Sequence, residues 1–446
     1  GYRALSAPSN SGANNTAVGT DALLANTTGT LNTAVGYIAL DANTTGNYNT
    51  GLGYGALSAA TTAADNTAVG ANALYVNTTG AQNTAVGRGA LIANTTANDN
   101  VAVGYYALSS NTTGASNVSV GFESLKANTT GASNIGIGTG ALEANTTASY
   151  NIGIGHDALL VNTGIANVAI GYQALDANTT ANRNVAIGDQ AMSLNTTGDG
   201  AVAIGAYCLD AQTTAANNTA VGHSAMTAAT TGNLNVAMGT NCANSITTGV
   251  QNVMLGQGAG TTLTSGHYNT VVGNACNVSA VNSSRQLVFG NSLTGTTNNA
   301  VHIGGSGGHV RNDFLDDATW DQVSDVRKKT NIEDSSMGLE FINKLRTVIF
   351  NFKAPSEFPE EWAEYNANQT EPLTENKKIG LIAQEVKEVI DELGIEHYDG
   401  TWGEKPNGQQ EIGPSDYIFP LIKAVQELSA EVEELKQQAH NKCDKE

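Results

Sequence analysis

Asn32-Thr33-Ala34-Val35-Gly36-Tyr37-Ile38-Ala39-Leu40-Asp41-Ala42-Asn43-Thr44-Thr45-Gly46 is one copy of a unit that recurs along most of the chain. Its glycine after the valine returns at Gly19, Gly36, Gly53, Gly70, Gly87, Gly104, Gly121, Gly138 and Gly155, a period of 17 residues. After one 16-residue step it continues at Gly171, Gly188, Gly205, Gly222, Gly239, Gly256, Gly273 and Gly290. Gly1-Tyr2-Arg3-Ala4-Leu5 is the tail of one more copy with no Met before it, so a part of the protein preceding Gly1 is expected to be missing.

Each position of the unit has its own chemistry. Before the glycine stands Val18, Val35, Leu52 or, later, Ile137, Ile154 and Ile170. Two residues earlier comes Thr33, Val101, Ile135 or Val168, with a small residue such as Ala34 or Gly136 between. This alternation predicts a short strand with its branched residues on one face. Four residues after the glycine, Leu23, Leu40, Leu57, Leu74, Leu91 and Leu108 form a second apolar ladder. Asn-Thr-Thr-Gly between copies reads as turn chemistry, with Asn and Gly tolerating positive φ. A unit this short cannot bury its own core, but stacked units can, which predicts a mainly β protein built as a parallel β-solenoid or β-roll. At ~4.8 Å per coil, about 18 coils give a shaft of ~85 Å. The Asn four residues before each glycine (Asn15, Asn32, Asn49, Asn66) is expected to stack as an amide ladder.

The composition agrees. Of 446 residues only 13% are charged and 6% aromatic, while Gly contributes 50. A net charge of −20 without a basic face excludes a nucleic-acid binder. Charge is too sparse for charge-driven disorder, and no apolar run approaches the ~18 residues of a membrane helix. The average hides a break. Residues 1–323 carry 6 basic and 15 acidic residues, net −9, and residues 324–446 carry 14 and 25, net −11. The expected organisation is a shaft over 1–290, a neck over 291–323 and a small α+β unit over 324–446. Gly304-Gly305-Ser306-Gly307-Gly308 reads as flexible punctuation, and Asp313–Val323, with Phe314, Leu315 and Trp320, as a connector.

In the last part, Ser335–Leu345 has helical spacing, Val348–Phe352 alternates as a strand, Pro355–Asn376 reads as an exposed acidic loop, and Ala383–Leu393 reads as a helix ended by Gly394. A terminal helix is expected over 416–440. Ile418, Leu421, Val425, Leu428, Val432 and Leu435 follow 3-4-3-4-3 spacing, flanked by Glu427, Glu431, Glu433, Glu434 and Lys436 as a solvated exterior. The pattern suits a coiled coil or an amphipathic helix packed on its own unit; β-branched residues at a with Leu at d favour a dimer.

Cys208, Cys242 and Cys276 are 34 residues apart and stand where other copies have Ala22, Ala39 or Ala225. Two coils, ~9.6 Å, exceed the Cα span of a disulfide. They read as small apolar fillers, or as cross-chain bonds if that column faces a symmetry axis. Cys443 lies in the terminal tail. His156, His223, His267, His302 and His309 are isolated, so no metal site and no cofactor are expected.

Ser324-Asp325-Val326-Arg327-Lys328-Lys329 carries the chemistry. With Gly380-Leu381-Ile382-Ala383-Gln384-Glu385-Val386 and Leu421–Leu428 it resembles the intramolecular chaperone of endosialidase-type phage tailspikes, the peptidase S74 family. The family pattern Ser-Asp-x-Arg-x-Lys falls on Ser324, Asp325, Arg327 and Lys329. The resemblance implies a homotrimer that folds the upstream fibre and then cuts itself off at Val323–Ser324, with Ser324 as nucleophile and Lys329 as general base. A hydroxyl is a weak nucleophile and needs such a base; Arg327 and Lys328 beside Lys329 favour its neutral form. Without the resemblance, Ser-Asp reads as a turn and the basic run as a solvated face. The repeats, most closely Asn-Val-Ala-Ile-Gly at 167–171 and 184–188, resemble the heads of trimeric autotransporter adhesins and viral fibre repeats.

The expected function is a viral tail fibre or spike, located in the virion and folded in the host cytoplasm. It would bind a host receptor or glycan, and other tail proteins through the part before Gly1. A bacterial trimeric adhesin and a polysaccharide-degrading tailspike are the alternatives. The latter needs paired carboxylates, whereas Asp41, Glu143, Asp157, Asp176, Asp189 and Asp210 are scattered.

Overall fold

A computed structural model describes residues 1–306, 308–313, 321–322, 330, 332–362, 364–372, 376–396 and 401–443. The chain divides into two compact units, Gly1–Val323 and Ser324–Glu446.

The first unit is a parallel β-solenoid. Sixteen three-residue strands run from β1 (Thr16–Val18) to β16 (Thr270–Val272), followed by the longer β17 (Leu287–Asn291) and β18 (Ala300–Gly305). Each strand pairs parallel with the next in the register of the repeat, Thr16 against Thr33 and Thr33 against Thr50, so β1 to β18 make 17 turns. The 16-residue step leaves the register intact, with Val168 opposite Ile152. Here Asn162-Thr163-Gly164 replaces Asn-Thr-Thr-Gly, so the missing residue is a threonine whose counterparts, such as Thr147, are exposed.

The strands are turned inside out relative to the simplest reading of their pattern. The central small residue points inward, with Ala34, Ala68, Ala102 and Ala169 at 0% exposure, while the branched residues on either side face outward and are half-buried or exposed. The core is filled from the other side of the coil by Leu40, Leu57 and their equivalents, also at 0%. These leucines sit at φ near +50° (Leu40 at 52°, Leu57 at 55°). That conformation costs a non-Gly residue about 1–2 kcal/mol; burying a leucine side chain returns about 1.5–3 kcal/mol. The column therefore retains Leu where Gly would be less strained. When it does become Gly260, the Met254 side chain fills the space.

The glycine ending each strand is obligatory for two reasons. Gly36 and Gly239 have φ of +142° and +135°, and a Cβ at Gly239 would lie 2.5 Å from the Gly256 carbonyl oxygen of the next coil. The turn glycines differ in backbone conformation, although a Cβ at Gly249 would also lie 2.6 Å from the Gly266 carbonyl oxygen. Gly46 and Gly249 lie outside the positive-φ set, and Ala63, Ala97 and Ala148 occupy their column elsewhere. Positive φ falls instead on residues such as Ile38, Leu40 and Tyr48, so the tolerance of Asn43 and Gly46 for it goes unused.

The asparagine of that segment belongs to a second buried ladder. Asn43 Nδ2 donates to Asn26 Oδ1 at 2.9 Å and to the Gly46 carbonyl at 3.2 Å. In the expected first ladder, the Asn49 backbone N–H donates to Asn32 Oδ1 at 2.9 Å, while Asn49 Nδ2 reaches the Ala63 carbonyl at 2.8 Å. Threonine hydroxyls add a third repeat of bonds, as Thr44 Oγ1 to the Thr61 carbonyl at 3.0 Å. Both asparagine columns are buried, and an unpaired amide there would cost roughly 1–3 kcal/mol. Towards the C-terminal end the second ladder gives way to Ile246 and Leu263, while the first continues through the buried Asn252 and Asn269.

Cys208, Cys242 and Cys276 are buried free thiols inside the coil. The Cys208 and Cys242 sulfhydryls donate to the carbonyls of Ala220 and Met254, 3.2 and 3.1 Å away. Burial pushes the two thiols up to about 12 and about 11. The column faces the coil interior, so these three side chains form no cross-chain bond.

Residues expected as a neck continue the sheet. β18 lies parallel to β17, and the glycine-rich stretch is the turn of an antiparallel hairpin with β19 (Gly308–Asp313), Gly305 opposite Gly308. β20 (Asp321–Gln322) pairs with β19. Phe314, Leu315 and Trp320 lie outside the described residues.

Two outcomes are expected. Gly239→Ala should lower the unfolding midpoint of the shaft far more than Gly249→Ala, by a difference above ~1 kcal/mol in thermal or protease-resistance assays, because only Gly239 has positive φ. Asp176 is half-buried with Oδ1 unpartnered, and burial raises its carboxyl above the ordinary value. A raised native pKa means the ionised form is disfavoured in the fold, so stability falls as pH rises from the ordinary carboxylate range through the raised value. Asp176→Ser, matching Ser58, Ser109 and Ser193 in that column, should raise the melting temperature at pH 7 and lose the advantage below about pH 4.

Candidate functional site

The second unit is small. α1 (Leu339–Lys344), β21 (Val348–Phe350), β22 (Lys378–Gly380) and α2 (Ala383–Glu392) precede β23 (Gly403–Glu404), β24 (Gln410–Glu411) and the long α3 (Ile418–Cys443). The first helix is shorter than its spacing suggested, because Gly338 precedes it and Leu345 is extended. The stretch expected as a wholly exposed acidic loop begins with a one-turn helix at Pro355–Glu357 whose Pro355 is buried. The core is Met337, Phe341, Val386, Ile390, Ile395 and Tyr417. The Phe341 and Tyr417 rings stack with centroids 6.4 Å apart, and burial pushes the Tyr417 phenol up to about 12.

Among the candidate site residues, Val323, Ser324, Asp325, Arg327 and Lys329 lie outside the described residues, as does Lys328. Downstream of them the chain runs through Ile332 to the buried Met337 and enters α1.

The start of α1 is held by α3. Gly338 supplies no side-chain cap; instead Glu427 Oε2 accepts the Leu339 backbone N–H at 2.6 Å. A Cβ at Gly338 would lie 2.2 Å from that oxygen, so glycine is what admits the carboxylate. A negative charge there also complements the exposed N–H groups of the helix start. Glu427 thus caps a helix 88 residues upstream instead of serving only as solvated exterior. Arg346 forks onto Glu385, with Nε 3.0 Å from Oε2, and ties the exit of α1 to the first turn of α2. The arginine holds the Glu385 carboxyl below its ordinary value.

α3 packs on α1 near its start, where Ala424 is buried. Its heptad residues Ile418, Leu421, Val425, Leu428, Val432 and Leu435 remain 41–63% exposed. Intramolecular packing therefore accounts for only one side of the helix. Beside it lies an apolar groove of about 340 Å³ lined by Ile342, Leu345, Ile379, Leu381, Ile412 and Leu421. No group of His, Cys, Asp and Glu that could hold a metal occurs among the described residues.

Residues 324–395 match the family model Peptidase_S74, the chaperone of endosialidase. This chaperone segment opens at Ser324 and takes in α1, β21, β22 and α2, 72 residues of the 446. α3 and the Leu421–Leu428 block lie beyond it. No curated protein and no solved structure matches the chain.

The Glu427 contact could not be anticipated, because nothing local in either partner marks it. Removing it should loosen the chaperone segment: Glu427→Ala is expected to destabilise the unit by about 1–2 kcal/mol in thermal unfolding of the intact chain, and Glu427→Gln, which keeps an acceptor, by less.

Proposed function

We propose that this chain is a tail fibre or tailspike-type shaft of a phage, assembled as a homotrimer by a C-terminal intramolecular chaperone that then releases itself by cutting Val323–Ser324. The observation that carries this reading is the chaperone segment beginning at Ser324, directly behind a 17-turn solenoid. The division of the chain into compact units at the same bond supports it. In this mechanism the neutral Lys329 amine takes the proton of the Ser324 hydroxyl, and the oxygen attacks the Val323 carbonyl carbon. The peptide bond then breaks as the Ser324 nitrogen takes up a proton, and water hydrolyses the resulting ester. Arg327 and Lys328 disfavour a third positive charge and so keep Lys329 a competent base.

The exposed heptad face of α3 supports assembly through helices of other copies, and the family supports three copies. The shaft would display the surface that meets a host receptor or glycan and would join other tail proteins through preceding residues. The mature protein belongs in the virion after folding in the host cytoplasm. No helix among the described residues is long and apolar enough to cross a membrane.

Expression of the intact chain beside Ser324→Ala and Lys329→Ala tests the cleavage. The unaltered chain should yield a fragment ending at Val323 by denaturing gel and mass spectrometry, while both variants stay at full length. Cleavage elsewhere, or in the Ser324→Ala protein, would overturn the assignment.

A further inference from the structure

We infer that the outward face of the strands is the surface along which copies of the shaft pack on one another; this rests on the homotrimer proposed above. The face consists of the two residues flanking the inward central residue of each strand, most often alanine. From Thr16 and Val18 to Leu287 and Phe289 it comprises 34 side chains, of which 27 are apolar, seven are threonine and none is charged. Residues 1–323 carry 6 basic and 15 acidic side chains, and this face excludes all of them. Charge reappears two residues beyond it on both sides, at Arg88 and Asp189 after the glycine, at Asp65, Asp99 and Arg183 before the ladder asparagine, and at Arg285 before Gln286, which takes that asparagine's place. An apolar centre with a polar rim is the anatomy of a protein interface.

In the single chain the face is half-buried over most of its length and exposed in places: Val18, Leu52, Ile137, Ile204 and Met238 are 56%, 44%, 37%, 39% and 47% exposed, whereas Ala203 and Ala237, beside the last two, are fully buried. It becomes more apolar along the chain: the first five residues on the N-terminal side of the alanine are threonines, and the next seven, Val101 to Val202, are Val or Ile.

Its size and periodicity point to the occupant. Seventeen strands at ~4.8 Å each, about 10 Å long at ~3.3 Å per residue, give a stripe of ~800 Å². That is about one partner's share of a standard stable interface and exceeds the patch a monomer usually leaves open. The stripe presents the same two side chains at every coil, so a complementary surface must repeat at the same spacing for ~80 Å. Another copy of the solenoid has that repeat built in. The Thr-Thr corner is also free of charge, but it is polar and its first threonine already donates along the shaft, as Thr44 Oγ1 does to the Thr61 carbonyl.

Cross-linking of the intact chain tests the assignment. Ile137→Cys and Ile204→Cys place a thiol on the strand face, and Thr130→Cys and Thr147→Cys place one on the corner, all in a Cys443→Ser background. Cys208, Cys242 and Cys276 are buried, and burial disfavours the thiolate of Cys208 and Cys242, which keeps the background low. Each protein is treated with a short bis-maleimide and run on a denaturing gel, while sedimentation equilibrium counts the copies. Covalent dimers from the two strand-face variants, at least tenfold more than from the corner variants, are expected in a trimer. A trimer whose strand-face thiols stay unlinked, or whose corner thiols link equally well, overturns the face while leaving trimeric assembly standing. A monomer in sedimentation overturns the assembly reading and this inference with it.

Discussion

Close approach of one coil to the next is the constraint on which the shaft depends. At the end of each strand the Gly36 N–H donates to the Val18 carbonyl at 2.8 Å, and Gly53 repeats this to Val35. The backbones meet there with no room for a Cβ. Everything else comes from holding that spacing: buried amides and hydroxyls at the same height find their counterparts one coil away, and small inward residues leave the cross-section to the leucines. The polar ladders do more than satisfy themselves. They make the spacing directional, because an amide must present its oxygen to one neighbour and its N–H to the other.

Such regularity carries a hazard. A shift by one coil between chains preserves nearly every contact, so the repeats define their spacing well and their absolute register poorly. The non-repetitive unit at the end of the chain is of the opposite kind. In this chain that unit is built from long-range contacts, α3 against α1 and Arg346 against Glu385, each of which can form in one arrangement only. The two units thus differ in how far their contacts define a single register.

The period, the strand positions and the first asparagine ladder were legible because each recurs in nearly every coil, Ala201 and Gln286 being the two departures from the ladder. Which side of the strand faces inward was not. Alternation gives two faces, and the usual choice of the branched residues for the core fails because a coil this narrow, already holding Leu40 and its equivalents, leaves room at Ala34 only for a methyl group. The second ladder was hidden because Asn-Thr-Thr-Gly is also good turn chemistry, and nothing local distinguishes a buried Asn43 from an exposed one. In the C-terminal unit the helices were visible as periodicity, with α1 shorter than its spacing. The Glu427 cap was not visible, since it depends on Gly338 and on folding across 88 residues. The motif Ser324–Lys329 is legible as a motif; its geometry falls outside the described residues.

The coil that lacks one threonine has a wider meaning. Around Thr163 both asparagine ladders pass without a break, with Asn167 N–H still donating to Asn151 Oδ1 at 3.0 Å and Asn178 Nδ2 to Asn162 Oδ1 at 2.6 Å. The corner occupied by the second threonine is thus the point where chain length is decoupled from the lattice of the shaft. Residues can leave there without a neighbour noticing, and by the same geometry a loop could enter. A fibre of this construction would carry, at every coil, a position where sequence can drift in length as well as in kind, and surface novelty would accumulate along that line while the interior stayed fixed.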